Sequence, residues 1–273
     1  MSPRLLSAVQ GLACAAILFP LSFSLHSATL EEVIVTAQLR EQSLQDVPVS
    51  VNAVSGEKLL EAGLNKIQDL QAYVPNLTMS ENGIGTAIYI RGIGSGINQG
   101  FEQSVGMYVD GVYYGRAQLA RAPFLDLARV EVLRGPQNIL YGKNSIAGAI
   151  SIITASPGDE FEGFVSAVYE PEFDEEVIDL ALSGPISDAI GLRFAARKRE
   201  FGGYIENLTL GREEPNYSEE TVRLKVLWEA SDELSLSAKI EIGSFDVLGR
   251  QVEIINDQPS ESTNPLFTGR TYA

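Results

Sequence analysis

The feature that most limits the possible folds of this chain is a repeated alternation of apolar and polar residues in its second half. The clearest copies occupy residues 222–228 and 234–242, where almost every second residue is apolar. Residues 176–184 and 190–199 repeat the pattern more roughly, and residues 161–169 repeat it weakly. A period of two is typical of β-strands that have one apolar face and one polar face. We therefore expect about five antiparallel strands in this half of the chain.

Two architectures fit these strands. Tilted strands of about ten residues with an apolar face suffice to cross a bilayer, which favours a transmembrane β-barrel. A soluble antiparallel sandwich also alternates, and it stays open as the alternative. The connections favour the barrel, because short turns (184–188 and 231–233) alternate with longer acidic segments (170–175 and 200–218).

The charge of the chain excludes one class of partner and marks a boundary. The sequence has 36 acidic and 20 basic residues, a net charge of −16, so it lacks the basic face that nucleic-acid binding requires. Residues 29–157 carry 12 acidic and 9 basic residues, whereas residues 158–273 carry 24 and 10. This step in composition predicts a domain boundary near residue 158.

The N-terminal 28 residues contain the only cysteine, Cys14, and the only histidine, His26. Residues 1–28 have the pattern of a secretory signal peptide cleaved after Ala28, with a membrane-anchoring helix as the alternative. Removal of this segment leaves no thiol nucleophile, no histidine base and no His/Cys zinc site. We therefore predict a protein that is not an enzyme, with no catalytic residues, no metal site and no cofactor.

Residues 129–155 are predicted to form two strands joined by an irregular loop. Val130 and Val132 alternate with charged residues, and Gly135-Pro136 ends the first strand because proline has no amide donor. The glycines of the chain match neither a phosphate-binding P-loop nor a dinucleotide-binding fingerprint. The stretch therefore predicts a structural loop with residues that tolerate positive φ.

The region before this stretch is predicted to be a small α+β unit. One helix is expected over 56–62 after the cap Ser55, and a second between the cap Asn65 and Pro75. Asp110-Gly111 predicts a two-residue hairpin turn. Short strands are expected at 47–54, 77–80, 86–91 and 106–110.

Several blocks, in the right order, closely resemble TonB-dependent outer-membrane receptors. They are EEVIVTAQLREQSLQDVPVSV (31–51), IRG (90–92), SVGMYVDGVYYGR (104–116) and LARVEVLRGPQNILYGKNSIAGAISIIT (127–154). The resemblance implies an α+β plug domain, a small mixed sheet with short helices, over residues 47–157. Residues 158–273 then hold the first strands of an antiparallel transmembrane β-barrel. Because the family closes its barrel with about 22 strands, we expect an incomplete barrel and a truncated, N-terminal portion of a receptor.

The resemblance also implies that residues 29–46 are a TonB box and linker. The periplasmic protein TonB would grip the box by adding a strand to it, and we expect residues 31–37 to be unpaired and mobile beforehand. An ordinary edge strand is the alternative that the residues themselves leave open. The predicted box residues are Glu32, Val33, Ile34, Val35, Thr36 and Ala37.

Two arginines stand out in the plug-like region. Arg91 and Arg134 each end a predicted strand and precede a glycine. The residues alone allow two solvated strand-end arginines, whereas the resemblance implies pairing with glutamates of a surrounding barrel wall. The remaining motif residues of the plug are Gly92, Asp110, Gly111, Gly135, Pro136, Tyr141 and Gly142.

The function implied by the resemblance is active uptake across the outer membrane of a Gram-negative bacterium. The plug would face the periplasm, and the partners would be TonB of the inner-membrane energy-coupling complex and the lipid of the outer membrane. The ligand would be a metal chelate or another small solute, with a ferric siderophore as the default. A soluble periplasmic binding or adhesion module is the alternative, followed by a carbohydrate-active enzyme with two acids in a cleft.

Overall fold

A computed structural model of the chain describes residues 34–36, 42–82, 85–96, 102–116, 124–208 and 210–249. All of them belong to one compact unit. The predicted signal peptide (1–28) lies outside the described residues, as do residues 250–273.

The described part of the chain is built mainly of strands. Its helices are Gly56–Glu61, the 3₁₀ helix Ile67–Ala72 and the single turn Asn138–Tyr141. None of the helices in the described ranges is long and apolar enough to span a membrane. The strands, in chain order, are β1 (Ile34–Val35), β2 (Gln42–Ser43), β3 (Ser50–Ser55), β4 (Leu77–Asn82), β5 (Gly85–Ile90), β6 (Ile93–Gly94), β7 (Val105–Val109), β8 (Val112–Tyr113), β9 (Leu127–Arg134), β10 (Gly148–Thr154), β11 (Glu162–Glu170), β12 (Glu175–Ser187), β13 (Ile190–Phe201), β14 (Ile205–Asn207), β15 (Arg212–Glu214), β16 (Asn216–Ser231) and β17 (Leu234–Leu248).

A five-stranded mixed sheet, the central sheet, organises the first half. Its spatial order is β3-β9-β10-β7-β8, and β10 and β7 are parallel whereas the other neighbours are antiparallel. A separate antiparallel sheet holds β4, β5 and β6. Asp110 and Gly111 join β7 to β8 with φ values of 47° and 80°, which is the positive-φ hairpin turn that their sequence predicts.

The central sheet separates two apolar clusters. Val130 and Val132 have no exposed surface and pack in a cluster with Leu59 and Leu70 from the helical segments. Leu133 points to the opposite side of β9, where it packs with Val35. The central sheet is therefore covered on both faces, which explains its near-continuous apolar strands.

The second predicted helix differs from expectation. It is a 3₁₀ helix, and Asn65 does not cap it. Instead, Asp69 reaches back and its Oδ2 accepts the amides of Asn65 at 2.8 Å and Lys66 at 3.0 Å. The Asn65 side chain accepts a hydrogen bond from Arg197, so a distant partner has displaced the local capping role.

The second half is an antiparallel meander, the meander sheet, in the order β11-β12-β13-β16-β17. These are the five predicted strands, and most of them are longer than the sequence pattern indicated, β16 reaching 16 residues. The predicted acidic connection 200–218 also contains a small hairpin of β14 and β15, which the sequence reading missed. The described strands do not close into a barrel.

The two faces of the meander sheet have opposite chemistry. Val222 and Trp228 of β16 are 45% and 47% exposed, and Ile242 of β17 is 74% exposed. On the other face of β16, Thr221 and Arg223 are only 8% and 5% exposed. The apolar face therefore points outward and the polar face is covered, as predicted for transmembrane strands and opposite to a soluble sandwich.

Candidate functional site

The predicted TonB box is described for Ile34, Val35 and Thr36, called here the N-terminal segment, and its other residues lie outside the described ranges. Ile34 pairs with Ser43, and Val35 pairs with Gln42. Val35 has no exposed surface. The expectation of an unpaired segment is therefore wrong for Ile34 and Val35, and burying the Val35 side chain favours the pairing because it removes apolar surface from water.

Thr36 is held by a buried carboxylate. Glu131 of β9 has no exposed surface, and its Oε1 accepts the Thr36 amide at 2.7 Å and the Thr36 hydroxyl at 3.1 Å. The same oxygen accepts Nε of Arg129 at 2.7 Å. A buried carboxylate is tolerated only when donors satisfy it, so Glu131 and the N-terminal segment stabilise each other.

Glu131 was missed by the sequence reading. Its only local signal is a carboxylate placed between Val130 and Val132 in an otherwise apolar strand interior. Such a position in a buried strand demands a hydrogen-bonding partner, but the sequence does not say which one. The partner, Thr36, lies 95 residues earlier in the chain.

Tyr141, one of the predicted motif residues, lies in the same cluster as Val35. The ring of Tyr108 lies 4.8 Å from its ring, and the Tyr108 hydroxyl donates to the Tyr141 carbonyl. Burial, together with the nearby charge of Glu131, raises the pKa of Tyr141 from 10.0 to about 12. The turn that follows places Gly142 at a φ of 71°, which glycine adopts without strain.

Asp110 does more than form the predicted turn. Its carboxylate accepts the amide and the hydroxyl of Thr154, both at 2.8 Å, and Nζ of Lys239 at 2.6 Å. Burial alone would raise the pKa of Asp110, but the hydrogen bonds from Lys239 and Thr154 outweigh it and hold that pKa below its usual value. Asp110 thus links the central sheet to β17 of the meander sheet.

The side chain of Arg91, one of the two predicted RG arginines, lies near Gly135 of the other RG motif. Arg91 is exposed at the end of β5, and its Nη1 lies 3.9 Å from the position that a Cβ would take on Gly135. Arg134, the neighbour of Gly135, is half-buried, and its Nε is buried with no hydrogen-bond partner among the described residues. Their predicted pairing with wall carboxylates stays a prediction.

In most of the described contacts between the two halves of the chain, the cation comes from the meander sheet and the acceptor from the plug-like region, which is the reverse of the predicted pairing. Cations of the meander sheet bind acceptors on the segment Phe124–Asp126, which precedes β9. Arg193 donates to both carboxylate oxygens of Asp126 at 2.6 Å, Arg223 donates to the Leu125 carbonyl at 2.6 Å, and Arg197 donates to the Phe124 carbonyl. The sequence signal was available, since Arg193, Arg197 and Arg223 all occupy the polar face of the alternating strands.

The hydrogen bonds and ion pairs described above hold segments of the chain together. Among the residues that the structure describes, no group of three or more Asp, Glu, His or Cys side chains is arranged to hold a metal ion. Nε of Arg134 and Oε2 of Glu131 are buried with no hydrogen-bond partner among the described residues. The other buried charged groups named above form ion pairs or hydrogen bonds, most of which join distant segments. The arrangement therefore holds the N-terminal segment on one face of the central sheet and the meander sheet against its end.

Comparison with known proteins gives a consistent result. Residues 43–149 match the family model of the TonB-dependent receptor plug domain. The chain is 32% identical over 213 residues to the iron-regulated outer membrane virulence protein of Vibrio cholerae, covering 70% of this chain and 30% of that protein. It is 34% identical over 164 residues to the vitamin B12 transporter BtuB of Vibrio vulnificus, covering 56% of this chain and 26% of the transporter.

A solved structure agrees with the sequence relatives. The ferric yersiniabactin uptake receptor FyuA from Yersinia pestis superimposes with a TM-score of 0.61 at 28% identity, covering 71% of this chain and 32% of the receptor. The chain thus spans about 30% of the length of the curated relatives it matches. The chain belongs to the TonB-dependent receptors and corresponds to their N-terminal portion, with a plug domain at residues 43–149.

Proposed function

We propose that this chain is the energy-coupled entry region of an outer-membrane transporter for a scarce solute, with a ferric siderophore as the first candidate. In this proposal, residues 29–46 are the TonB box and linker, 47–157 the plug and 158–273 the beginning of the barrel wall. Iron uptake is favoured because similar proteins include an iron-regulated outer membrane protein and a ferric yersiniabactin receptor. Cobalamin is the second candidate, because a vitamin B12 transporter is also similar.

The observation that carries the proposal is the attachment of the N-terminal segment to the plug. A strand added by TonB to residues 32–37 would displace the pairing of Ile34 and Val35 and withdraw Val35 from its cluster. It would also break the bonds between Thr36 and Glu131. Exposing one buried valine and breaking a charged hydrogen bond together cost about 3–6 kcal/mol, so a pull on the segment is transmitted to β9.

The meander sheet supports the membrane location. Its outward side chains, such as Val165 and Ile242, are 75% and 74% exposed, and an apolar face of this kind is stable against lipid. We propose that Arg91 and Arg134 bind carboxylates of the wall outside the described residues. Arg134 is half-buried, and a buried charge without a partner would destabilise the plug.

Two substitutions of Val35 test whether the N-terminal segment couples the receptor to TonB. They are made in the full-length receptor, in a strain that takes up ferric siderophore only through this receptor. Val35→Ala and Val35→Pro both lose the buried side chain, but only proline lacks the amide needed for strand addition. We expect Val35→Pro to abolish uptake of radiolabelled ferric siderophore while surface binding persists, and Val35→Ala to retain uptake. Equal uptake by the two variants would contradict the proposal.

Two further measurements separate the alternatives. Radiolabelled cobalamin in the same assay distinguishes the second ligand candidate from the first. Membrane fractionation distinguishes the transporter from a soluble periplasmic binding or adhesion module, since the soluble module would be recovered in the periplasmic extract.

A further inference from the structure

A groove of about 520 Å³ crosses the outward face of β11, β12 and β13. Its surface is mainly apolar, and Phe161 and Leu182 at its edges are 84% and 54% exposed. Cavities of about 300–1,000 Å³ are typical of sites that hold a small molecule. The residues that chiefly line the groove are Phe161, Gly163, Leu182, Gly184, Leu192 and Phe194.

Two glycines allow the side chains of Leu182 and Phe161 to lie directly on the backbone in this groove. A Cβ on Gly163 would lie 2.7 Å from Cδ2 of Leu182, and a Cβ on Gly184 would lie 2.5 Å from Cδ1 of Phe161. Neither glycine has a φ in the left-handed region. The backbone conformation therefore does not require glycine here, and what glycine supplies is the absence of a side chain.

The groove lies within one leaflet of the proposed membrane. Its β12 and β13 residues are within about six residues of the short turn between the two strands, or about 20 Å along a strand. A tilt of about 45° reduces this to about 14 Å along the membrane normal, close to half of a hydrocarbon core of about 30 Å. The groove therefore faces the leaflet next to the short turns.

The short turns beside the groove form an acidic collar. Residues 156–162, 185–191 and 227–235 contain no lysine or arginine. Negative charges next to a bilayer repel anionic head groups and attract cationic ones. The acidic residues of the collar, all exposed, are Asp159, Glu160, Asp188, Glu229, Asp232 and Glu233; Glu162 is paired with Arg193 at 2.7 Å and is not counted among them.

We propose that the groove binds one acyl chain of a phospholipid whose head group carries a primary ammonium, namely phosphatidylethanolamine. This inference rests on the outer-membrane location proposed above. Lipid tails are as apolar as the groove, so burial alone gives little preference between lipids. The head group decides, because its ammonium lies next to the acidic collar. The cations that reach residues 156–162, Arg193 and Lys225, are already bound by Asp126 and Glu162 and by Thr154 and Ser156, so among the described residues an anionic head group finds no free cation there.

Native mass spectrometry of the receptor purified from membranes tests this assignment. Phosphatidylethanolamine and phosphatidylglycerol with identical chains are added in equal amounts, and the retained lipids are counted. We expect the wild type to retain phosphatidylethanolamine about fivefold over phosphatidylglycerol, the ratio that one head-group charge gives at a membrane surface. Gly184→Leu fills the groove and should lose the retained lipid, whereas Ala238→Leu on the outward face of β17 should not.

A second variant addresses the charge without touching the groove. The triple substitution Asp159→Asn, Glu160→Gln and Asp188→Asn changes exposed side chains only, and it should retain lipid while losing the preference for phosphatidylethanolamine. A wild type without that preference would overturn the inference, as would equal lipid retention by Gly184→Leu and Ala238→Leu. If Gly184→Leu does not fold, the triple variant decides the question by itself. Recovery of the wild type outside the membrane fraction would instead overturn the proposed function.

Discussion

Replacing Glu131 by glutamine tests how strongly the plug retains the N-terminal segment. The substitution keeps the side-chain shape and a carbonyl acceptor but removes the negative charge. The Thr36 amide and hydroxyl, at 2.7 Å and 3.1 Å from Oε1, would then donate to a neutral oxygen. Hydrogen bonds to charged groups contribute about 1.5–3 kcal/mol and neutral ones about 0.5–1.5 kcal/mol. Two weakened bonds therefore correspond to a loss of about 2 kcal/mol.

This loss predicts a specific change in hydrogen exchange. A free energy of about 2 kcal/mol multiplies the equilibrium constant for local opening by about 30. We expect the amides of Val35 and Thr36 to exchange about 30-fold faster in Glu131→Gln, while those of Val130 and Val132 in β9 stay protected. The measurement is amide hydrogen exchange on the receptor in detergent micelles, read for these two short stretches separately.

A matched control uses a carboxylate elsewhere in the plug. Glu102 accepts hydrogen bonds from Lys143 and Asn144 at 2.9 Å and 2.7 Å but makes no contact with the N-terminal segment among the described hydrogen bonds. Glu102→Gln should leave exchange of the N-terminal segment unchanged. Equal acceleration of β9 in Glu131→Gln would refute the reasoning, because Glu131 would then stabilise the central sheet as a whole and not the segment.

Three further predictions concern the plug and its attachment. Gly56→Ala should lower the free energy of unfolding by about 3 kcal/mol or more, because its Cβ would lie 1.8 Å from the carbonyl oxygen of Leu127; an unchanged urea midpoint would contradict this. The raised pKa of Tyr141, about 12 against 10.0, predicts stability that is complete below pH 10 and lost as the pH rises toward 12, and Tyr141→Phe should flatten that part of the urea-midpoint profile. Arg193→Lys and Asp126→Asn should show a coupling of about 1–3 kcal/mol in a double-mutant cycle, because lysine keeps the charge but not the bidentate geometry; additive effects would contradict it.

The parts of the fold that depend on neighbouring residues were predictable from the sequence. Alternation with a period of two indicated the five strands of the meander sheet and which of their residues share the apolar face. Ser55 caps the helix Gly56–Glu61 as predicted, its hydroxyl accepting the Lys58 amide at 3.2 Å. Asp110-Gly111 forms the predicted hairpin turn. Each of these signals comes from residues a few positions apart, so no knowledge of the tertiary structure was needed.

The state of the N-terminal segment was not predictable in the same way. A run of β-branched residues such as Val35 has the same propensity whether its backbone is free or paired. Pairing was decided by Glu131, a buried carboxylate that requires donors, and by a cluster assembled from distant strands. Long-range partners of this kind override local propensity, and a single sequence does not reveal them.

The contact between the plug and the wall shows a second kind of feature that the sequence does not predict, namely the acceptors of its hydrogen bonds. The family resemblance implied that the arginines of the RG motifs supply cations from the plug and that the wall supplies carboxylates. In the described strands, Arg223 and Arg197 of the wall instead bind the main-chain carbonyls of Leu125 and Phe124. Every residue carries such a carbonyl, so the residue type does not show which main-chain carbonyl will accept a hydrogen bond. The donors were nevertheless visible, because a basic side chain on the polar face of an alternating strand must find an acceptor once that face is covered.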